Sequence, residues 1–268
     1  MHTVYLKHPR DFEEWRTHAR TLFSSGIPPE AVLWRTGAEN DLFSMMADPK
    51  EPSPPETASP GLLVPRQFPD LAESALHHSN PSCPSLLYRL LFRMQSERKL
   101  LAVMTDPDVI SVRAMVRDVH NDCHRMMAFV RFREIATEKS GTPTRRRFMA
   151  WHEPDHYIVA RMAPFFRRRF SDMDWAILTP KGSAACTDGK ILVSDEPATR
   201  PNLADDTDDL WRTYYASTFN PARLKVKTMQ SNMPKRYWAN LPEAEIIPEL
   251  IAGARARVSA MIKDEEKE

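Results

Sequence analysis

Glycine is scarce in this sequence, where only seven of 268 residues are glycine. Phosphate-binding loops in nucleotide-binding enzymes are built from closely spaced glycines, because their backbone must approach the phosphates. Neither GxGxxG nor GxxxxGKS/T occurs here. The sequence therefore excludes the usual nucleotide-binding loops as the basis of its function.

Cysteine and long apolar runs are also scarce. The three cysteines are scattered and odd in number, which argues against a disulfide framework, and an iron–sulfur cluster would need about four. The first residues, "MHTVYLKHPRDFEEW", lack the apolar run of a signal peptide, and no run of eighteen apolar residues occurs. We expect a cytoplasmic protein with reduced cysteines, no membrane span and no cofactor.

Proline, by contrast, is abundant, with 23 residues. Six of them fall within residues 48–66, "DPKEPSPPETASPGLLVPR", a composition typical of a linker or wrapped loop. We predict an N-terminal β-α-β segment at 1–47, this linker at 48–66 and a main α+β domain at 67–268. The N-terminal segment is expected to form one globular unit with the main domain.

Apolar periodicity predicts an α+β fold, with a small, mostly antiparallel sheet surrounded by helices. Asp188-Gly189 between two β-prone runs indicates a hairpin. Strands are predicted at 3–8, 31–36, 128–135, 145–152 and 174–180. Helices are predicted at about 9–26, 67–79, 84–102, 107–127, 156–170, 208–219 and 243–266.

Positive charge is concentrated in the middle of the chain. The net charge is only +1, but the segment from Arg113 to Arg169 holds thirteen Lys/Arg against six Asp/Glu, an excess of seven. A local basic excess of this size is what a polyanion would meet.

The candidate nucleic-acid-binding residues are arginines and aromatics of this region. On a strand at 128–135, Arg131 and Arg133 would share a face about 7 Å apart, close to the spacing of successive phosphates. The alternative to phosphate binding is that the two arginines lie on a solvated sheet face or form ion pairs. Tryptophans among arginines can stack on unpaired bases, although a strand tryptophan is more often core. The predicted set is Arg131, Arg133, Arg145, Arg146, Arg147, Trp151, Arg167, Arg168, Arg169, Trp175, Lys235, Arg236, Tyr237 and Trp238.

Two further groups could carry chemistry. Glu153 and His156, at the end of a predicted strand, are candidate catalytic acid–base residues, whereas we interpret Asp155 between them as a helix cap. His120, Cys123 and His124 share a helix face with zinc-ligand spacing, but no second ligand cluster accompanies them, so no metal site is predicted.

Several stretches resemble a bacterial family described as DNA-metabolism proteins. They are "HRMMAFVRFRE", "AWHEPDHYIVARMAPFFRRRF", "DWAILTPKGSA" and the long "FNPARLKVKTMQSNMPKRYWANLPE". Members of that family occur beside a radical SAM protein or fused to a uracil-DNA glycosylase of the UdgX type. The resemblance implies a role in DNA repair or modification with such an enzyme as partner, and assigns no catalytic residue.

Three functions are compatible with these features. The first is an accessory protein that binds single-stranded or damaged DNA and works with an enzymatic partner, a radical SAM protein or a uracil-DNA glycosylase. The second is a nucleic-acid-processing enzyme that uses Glu153 and His156. The third is a protein-interaction scaffold that binds no nucleic acid.

Overall fold

The computed structural model of the chain describes residues 1–36, 62–135, 145–201 and 233–254, together with Ala216 and Met229. Most of the predicted linker at 48–66 lies outside these residues, as do nearly all of the helix predicted at 208–219 and the end of the terminal helix. The chain divides into two compact units, Met1–Asp122 and Cys123–Glu268.

The first unit opens with the predicted β-α-β segment. Strand β1 (His2–Leu6) pairs in parallel with β2 (Val32–Thr36), and helix α1 (Phe12–Ser24) connects them. Helix α1 begins after Asp11, whose carboxylate accepts a hydrogen bond from the backbone N–H of Glu13 at 2.8 Å.

Three more helices complete the core of this unit. Asp106 caps the longest of them, since its carboxylate accepts the backbone N–H of Asp108 at 2.9 Å and of Val109 at 3.1 Å. Trp15, Phe68 and Tyr88 lie fully buried among the helices. The helices are α2 (Gln67–Leu76), α3 (Cys83–Arg93) and α4 (Pro107–Phe129), whose residues from Cys123 onward belong to the second unit, with 3-10 helices at Pro29–Ala31 and Leu100–Ala102.

The second unit contains a five-stranded sheet with the strands in chain order. Three of its four strand pairs are antiparallel and β4–β5 is parallel, so the predicted α+β fold with a mostly antiparallel sheet is confirmed. The strands are β3 (Arg133–Ile135), β4 (Arg147–Trp151), β5 (Asp174–Thr179), β6 (Gly182–Thr187) and β7 (Lys190–Ser194). In the part of this unit that the structure describes, the helices include α5 (Val159–Arg169), α6 (Ile247–Ala252) and the 3-10 helices Lys235–Asn240 and Pro242–Ile246.

The hairpin predicted at Asp188-Gly189 is confirmed. The two residues connect β6 to β7, with Thr187 paired to Lys190. Both have positive φ, 50° at Asp188 and 73° at Gly189, which is the backbone that a two-residue hairpin turn requires.

The strand predicted at 128–135 is wrong over most of its length. Helix α4 continues to Phe129, the backbone N–H of Val130 bonds to the carbonyl of Met126 at 3.1 Å, and only Arg133–Ile135 is strand. The apolar residues Val119, Cys123, Met126 and Val130 are all buried at helical spacing, and this longer periodicity outweighs the short alternation after it. Arg131 and Arg133 therefore do not lie side by side on one strand.

Within the described ranges, no helix has the length and apolar character needed to cross a membrane.

Candidate nucleic-acid interface

The two faces of the five-stranded sheet differ in exposure. One face packs against α5 and is formed by Ala150, Trp175, Ile177, Ala184 and Cys186, all buried. The strand pairings place a second set on the opposite face, where side chains are half-buried or exposed. We call this surface the arginine–tryptophan face; its members are Arg133, Arg147, Met149, Trp151, Ala176, Leu178, Ser183 and Ala185.

A pocket opens where this face meets the C-terminal part of the unit. Arg133 and Trp151 come from β3 and β4, and Arg131 precedes β3. Arg200, Pro201 and Asn240 complete the lining. Three arginines, a tryptophan and an asparagine thus surround one pocket, and arginine and tryptophan are residue types that bind phosphates and bases.

Several of the predicted DNA-binding arginines are neutralised by carboxylates. Arg131 pairs with Glu243 at 2.6 Å, and both side chains are largely buried, at 15% and 4% exposed. Arg145 pairs with Asp174 at 3.0 Å, and Arg146 forms a bidentate pair with Glu134 at 2.9 and 2.6 Å. Arg131, Arg145 and Arg146 therefore follow the alternative reading of the sequence, in which the arginines form ion pairs.

Four further arginines of the predicted set, Arg147 and the three that end α5, lie towards the other end of β4. Arg147 begins β4 opposite Asp174, the first residue of β5, and α5 ends with Arg167, Arg168 and Arg169 shortly before β5. All four are exposed. Since a strand rises about 3.3 Å per residue, Arg147 lies about 13 Å from Trp151 along β4.

Trp151 is held in place by Glu153. Its indole N–H donates to a carboxylate oxygen of Glu153 at 2.7 Å, and Glu153 is exposed. His156, the other proposed catalytic residue, is buried and has interactions of its own. Glu153 therefore has a visible role as a positioning residue for Trp151.

Asp155 does not cap α5, which corrects the sequence interpretation. The N-cap is Ile158 and makes no side-chain capping bond. Asp155 forms a bidentate pair with Arg236 and lies 3.6 Å from Arg125. Burial raises the pKa of Asp155, but the hydrogen bonds and charge of Arg236 outweigh burial and hold the pKa below its usual value.

The aromatic and basic residues at 235–238 are divided between surface and core. Lys235 is exposed and lies 6.0 Å from the ring of Trp238, which is half-buried. Tyr237 is 1% exposed and stacks on His152 with 5.3 Å between ring centroids. Of this group, Lys235 alone presents its charge freely to solvent, because Arg236 is paired with Asp155.

Trp175 lies in the core of the unit. It is 2% exposed, and its ring lies 6.1 Å from that of Phe166 and 6.2 Å from that of Phe132. A buried indole has no free face for a base, so the structure places Trp175 among the residues that hold the sheet to α5.

His152 is a buried residue that the sequence did not single out. Its side chain is 1% exposed, and burial, together with the charge of Arg236, lowers its pKa to about 4, while Asp155 opposes this shift. A histidine kept neutral in the folded protein makes stability depend on pH, because the unfolded chain binds a proton that the folded chain does not.

We therefore expect the free energy of unfolding to decrease as the pH falls from about 6.5 to about 4. Protonation of His152 in the unfolded chain should lower the free energy of unfolding by about 3 kcal/mol across this range. Urea unfolding of the wild type at several pH values measures it, and His152→Phe, which keeps a ring against Tyr237, serves as control. Parallel pH curves for the two proteins would contradict the assignment.

The possible zinc ligands on α4 form no metal site. Cys123 is buried while His120 and His124 are exposed, and no group of three metal-ligating side chains is present among the described residues. The three cysteines are buried thiols that form no disulfide, and burial raises the pKa of Cys83 to about 12.

Two pocket residues, Arg200 and Asn240, were not predicted from the sequence. Arg200 follows "DEPAT" in a stretch without any motif, and only the fold brings it to the pocket. Asn240 belongs to "MPKRYWANLPE", a stretch already distinctive for its aromatic and basic residues, and that signal could have drawn attention to it.

Comparison with known proteins identifies a family but no characterised relative. A family model described as "domain of unknown function (DUF4130)" matches residues 81–243. No curated protein and no solved structure matches the chain. The matched region extends from the residues before α3 to the 3-10 helix that follows Asn240, and so includes the whole five-stranded sheet and every residue that lines the pocket. Because the match covers more than half of the chain, this protein belongs to the DUF4130 family.

Proposed function

We propose that this protein binds single-stranded or damaged DNA on the arginine–tryptophan face and acts as an accessory in DNA repair or modification. The enzymatic chemistry would come from a partner, a radical SAM protein or a uracil-DNA glycosylase, as the family resemblance implies. The observation that carries the proposal is the pocket in which Arg133 and Arg200 lie beside Trp151.

The shape and composition of the face support a single strand as the ligand. Bases of single-stranded DNA can stack on exposed aromatic rings, which contributes about 1–3 kcal/mol per base without requiring a particular sequence. A half-exposed sheet face with Trp151, Met149 and Leu178 provides such a platform. Paired bases in a duplex have no free faces to offer it.

The exposed arginines at the other end of β4 support a path for the DNA backbone. A strand that followed β4 from the pocket would reach Arg147 after about 13 Å, and it would then have to pass round the end of β4 to reach the arginines that end α5, because α5 packs on the other face of the sheet. Each guanidinium that neutralises a phosphate releases a counterion, so such contacts make binding salt-dependent.

An enzyme based on Glu153 and His156 receives less support. The carboxylate of Glu153 accepts the indole N–H of Trp151, and His156 is buried. A Glu153 that positions the Trp151 ring for base stacking is what we expect of a DNA-binding protein whose partner carries out the reaction.

The backbone path can be tested with Arg147→Ala/Arg168→Ala. Loss of two phosphate contacts should weaken binding of a labelled single-stranded oligonucleotide about ten-fold or more and make the slope of log K against log salt shallower by about 1.4. Fluorescence anisotropy at several salt concentrations measures both quantities, with a duplex for comparison.

Arg20→Ala/Arg98→Ala is the matched control, because both arginines are exposed in the first unit and the change in net charge is the same. It should bind like the wild type. Equal losses in the two double variants would contradict the proposed path. A wild type that binds no oligonucleotide but purifies with the enzymatic partner would favour the scaffold.

A further inference from the structure

The amide of Asn240 is unusual for a side chain in the wall of a pocket. Its nitrogen and its oxygen are both shielded from solvent, and neither has a hydrogen-bond partner among the described residues. Folded proteins rarely leave both ends of an amide unsatisfied, since each unmade hydrogen bond is costly. An amide that is costly in the free protein is well suited to a ligand that completes its hydrogen bonds.

The chemistry around Asn240 indicates what that ligand is. A side-chain amide presents a donor and an acceptor next to each other, which match the adjacent acceptor and donor on the edge of a nucleobase. Trp151 lines the same pocket and can stack on the base, and Arg200 and Arg133 bring positive charge for the attached phosphate.

Arg200 is anchored next to Asn240. Its guanidinium donates to the backbone carbonyl of Ala239, the residue before Asn240, at 2.8 Å, and Arg200 is exposed. A phosphate is a stronger acceptor for a guanidinium than a neutral carbonyl is. A nucleotide that draws Arg200 from Ala239 would therefore uncover the wall of the pocket next to it, where Asn240 lies.

We propose that this pocket holds one unstacked nucleotide of the bound strand, with its base on Trp151 and the base edge read by Asn240. This inference rests on the proposed DNA binding and adds a base-reading position to it. Arg200 is the residue that links phosphate binding to base reading.

The test uses a short oligo-dT strand in which one central position is dA, dC, dG, dT or abasic. We expect the wild type to prefer one base over the others by about ten-fold and to bind the abasic strand more weakly still. Asn240→Leu should remove the preference among bases, and it should weaken binding of the abasic strand less than binding of the preferred base. Competition anisotropy on the full chain measures all five strands.

Two variants of Trp151 distinguish the loss of base stacking from a general loss of folding. Trp151→Ala should remove the difference between base and abasic strands, whereas Trp151→Phe, which retains a ring, should keep most of it. The inference is overturned if the wild type binds all five strands equally or if Asn240→Leu keeps the base preference. A wild type that binds no strand at all would overturn the proposed function as well.

Discussion

Glu243→Gln is expected to lower the free energy of unfolding by about 3–5 kcal/mol. Glu243 and Arg131 form a pair at 2.6 Å, with side chains only 4% and 15% exposed. Removal of the carboxylate charge leaves the guanidinium buried without its counter-charge, which is more costly than the absence of both groups. Chemical denaturation at neutral pH measures the change.

Two controls separate this pair from an ordinary ion pair. Arg131→Met combined with Glu243→Gln should recover part of the lost stability, because no unpaired charge remains. Glu13→Gln breaks the exposed pair with Arg16, which is at a similar distance of 2.7 Å, and should cost less than about 1 kcal/mol. If Glu243→Gln were as mild as Glu13→Gln, the pair would not be a buried structural contact.

Trp175→Ala is expected to lower the free energy of unfolding by about 3–5 kcal/mol as well. The indole is 2% exposed within the ring cluster of Phe132, Phe166 and Phe170, so its removal leaves a cavity between the sheet and α5. Trp175→Phe should cost much less, since a ring remains and the indole N–H, which has no partner among the described residues, is gone. Thermal or chemical unfolding gives both values.

The same variants distinguish a core tryptophan from a DNA-binding one. Under conditions where each variant is folded, Trp175→Phe should bind single-stranded DNA like the wild type. Trp151→Ala, on the half-exposed face, should weaken binding with little change in stability. If Trp175→Phe weakened DNA binding while Trp151→Ala did not, Trp175 would belong to the DNA interface. That result would refute the assignment of the two faces of the sheet.

Local sequence patterns predicted most of the secondary structure. The strand predicted at 174–180 is β5 and the hairpin predicted at Asp188-Gly189 is present, because strand propensity and positive φ are properties of a few neighbouring residues. Where two local patterns overlapped, the shorter was wrong: the alternation at 128–135 gave way to the continued apolar spacing of α4. The position of Asp155 before α5 likewise suggested a cap, but Arg236 provides a charged partner instead.

The candidate site was predictable only in part. The concentration of arginines and the position of Trp151 at a strand end pointed to the region in which the candidate face lies, and Trp151 and Arg133 do share one face. Composition could not indicate which charges remain available, because a carboxylate neutralises an arginine only where the fold brings them together. Glu243 is 112 residues from Arg131, and Asp155 is 81 residues from Arg236.

The sequence by itself therefore determined the fold class, the hairpin and the basic character of the central segment, since all three depend on residues close together in the chain. The tertiary structure alone decided that Trp175 is core while Trp151 is half-exposed, and that Arg200 and Asn240 join Trp151 in one pocket. The physical reason is that burial and charge pairing are set by long-range contacts, which a linear pattern does not specify.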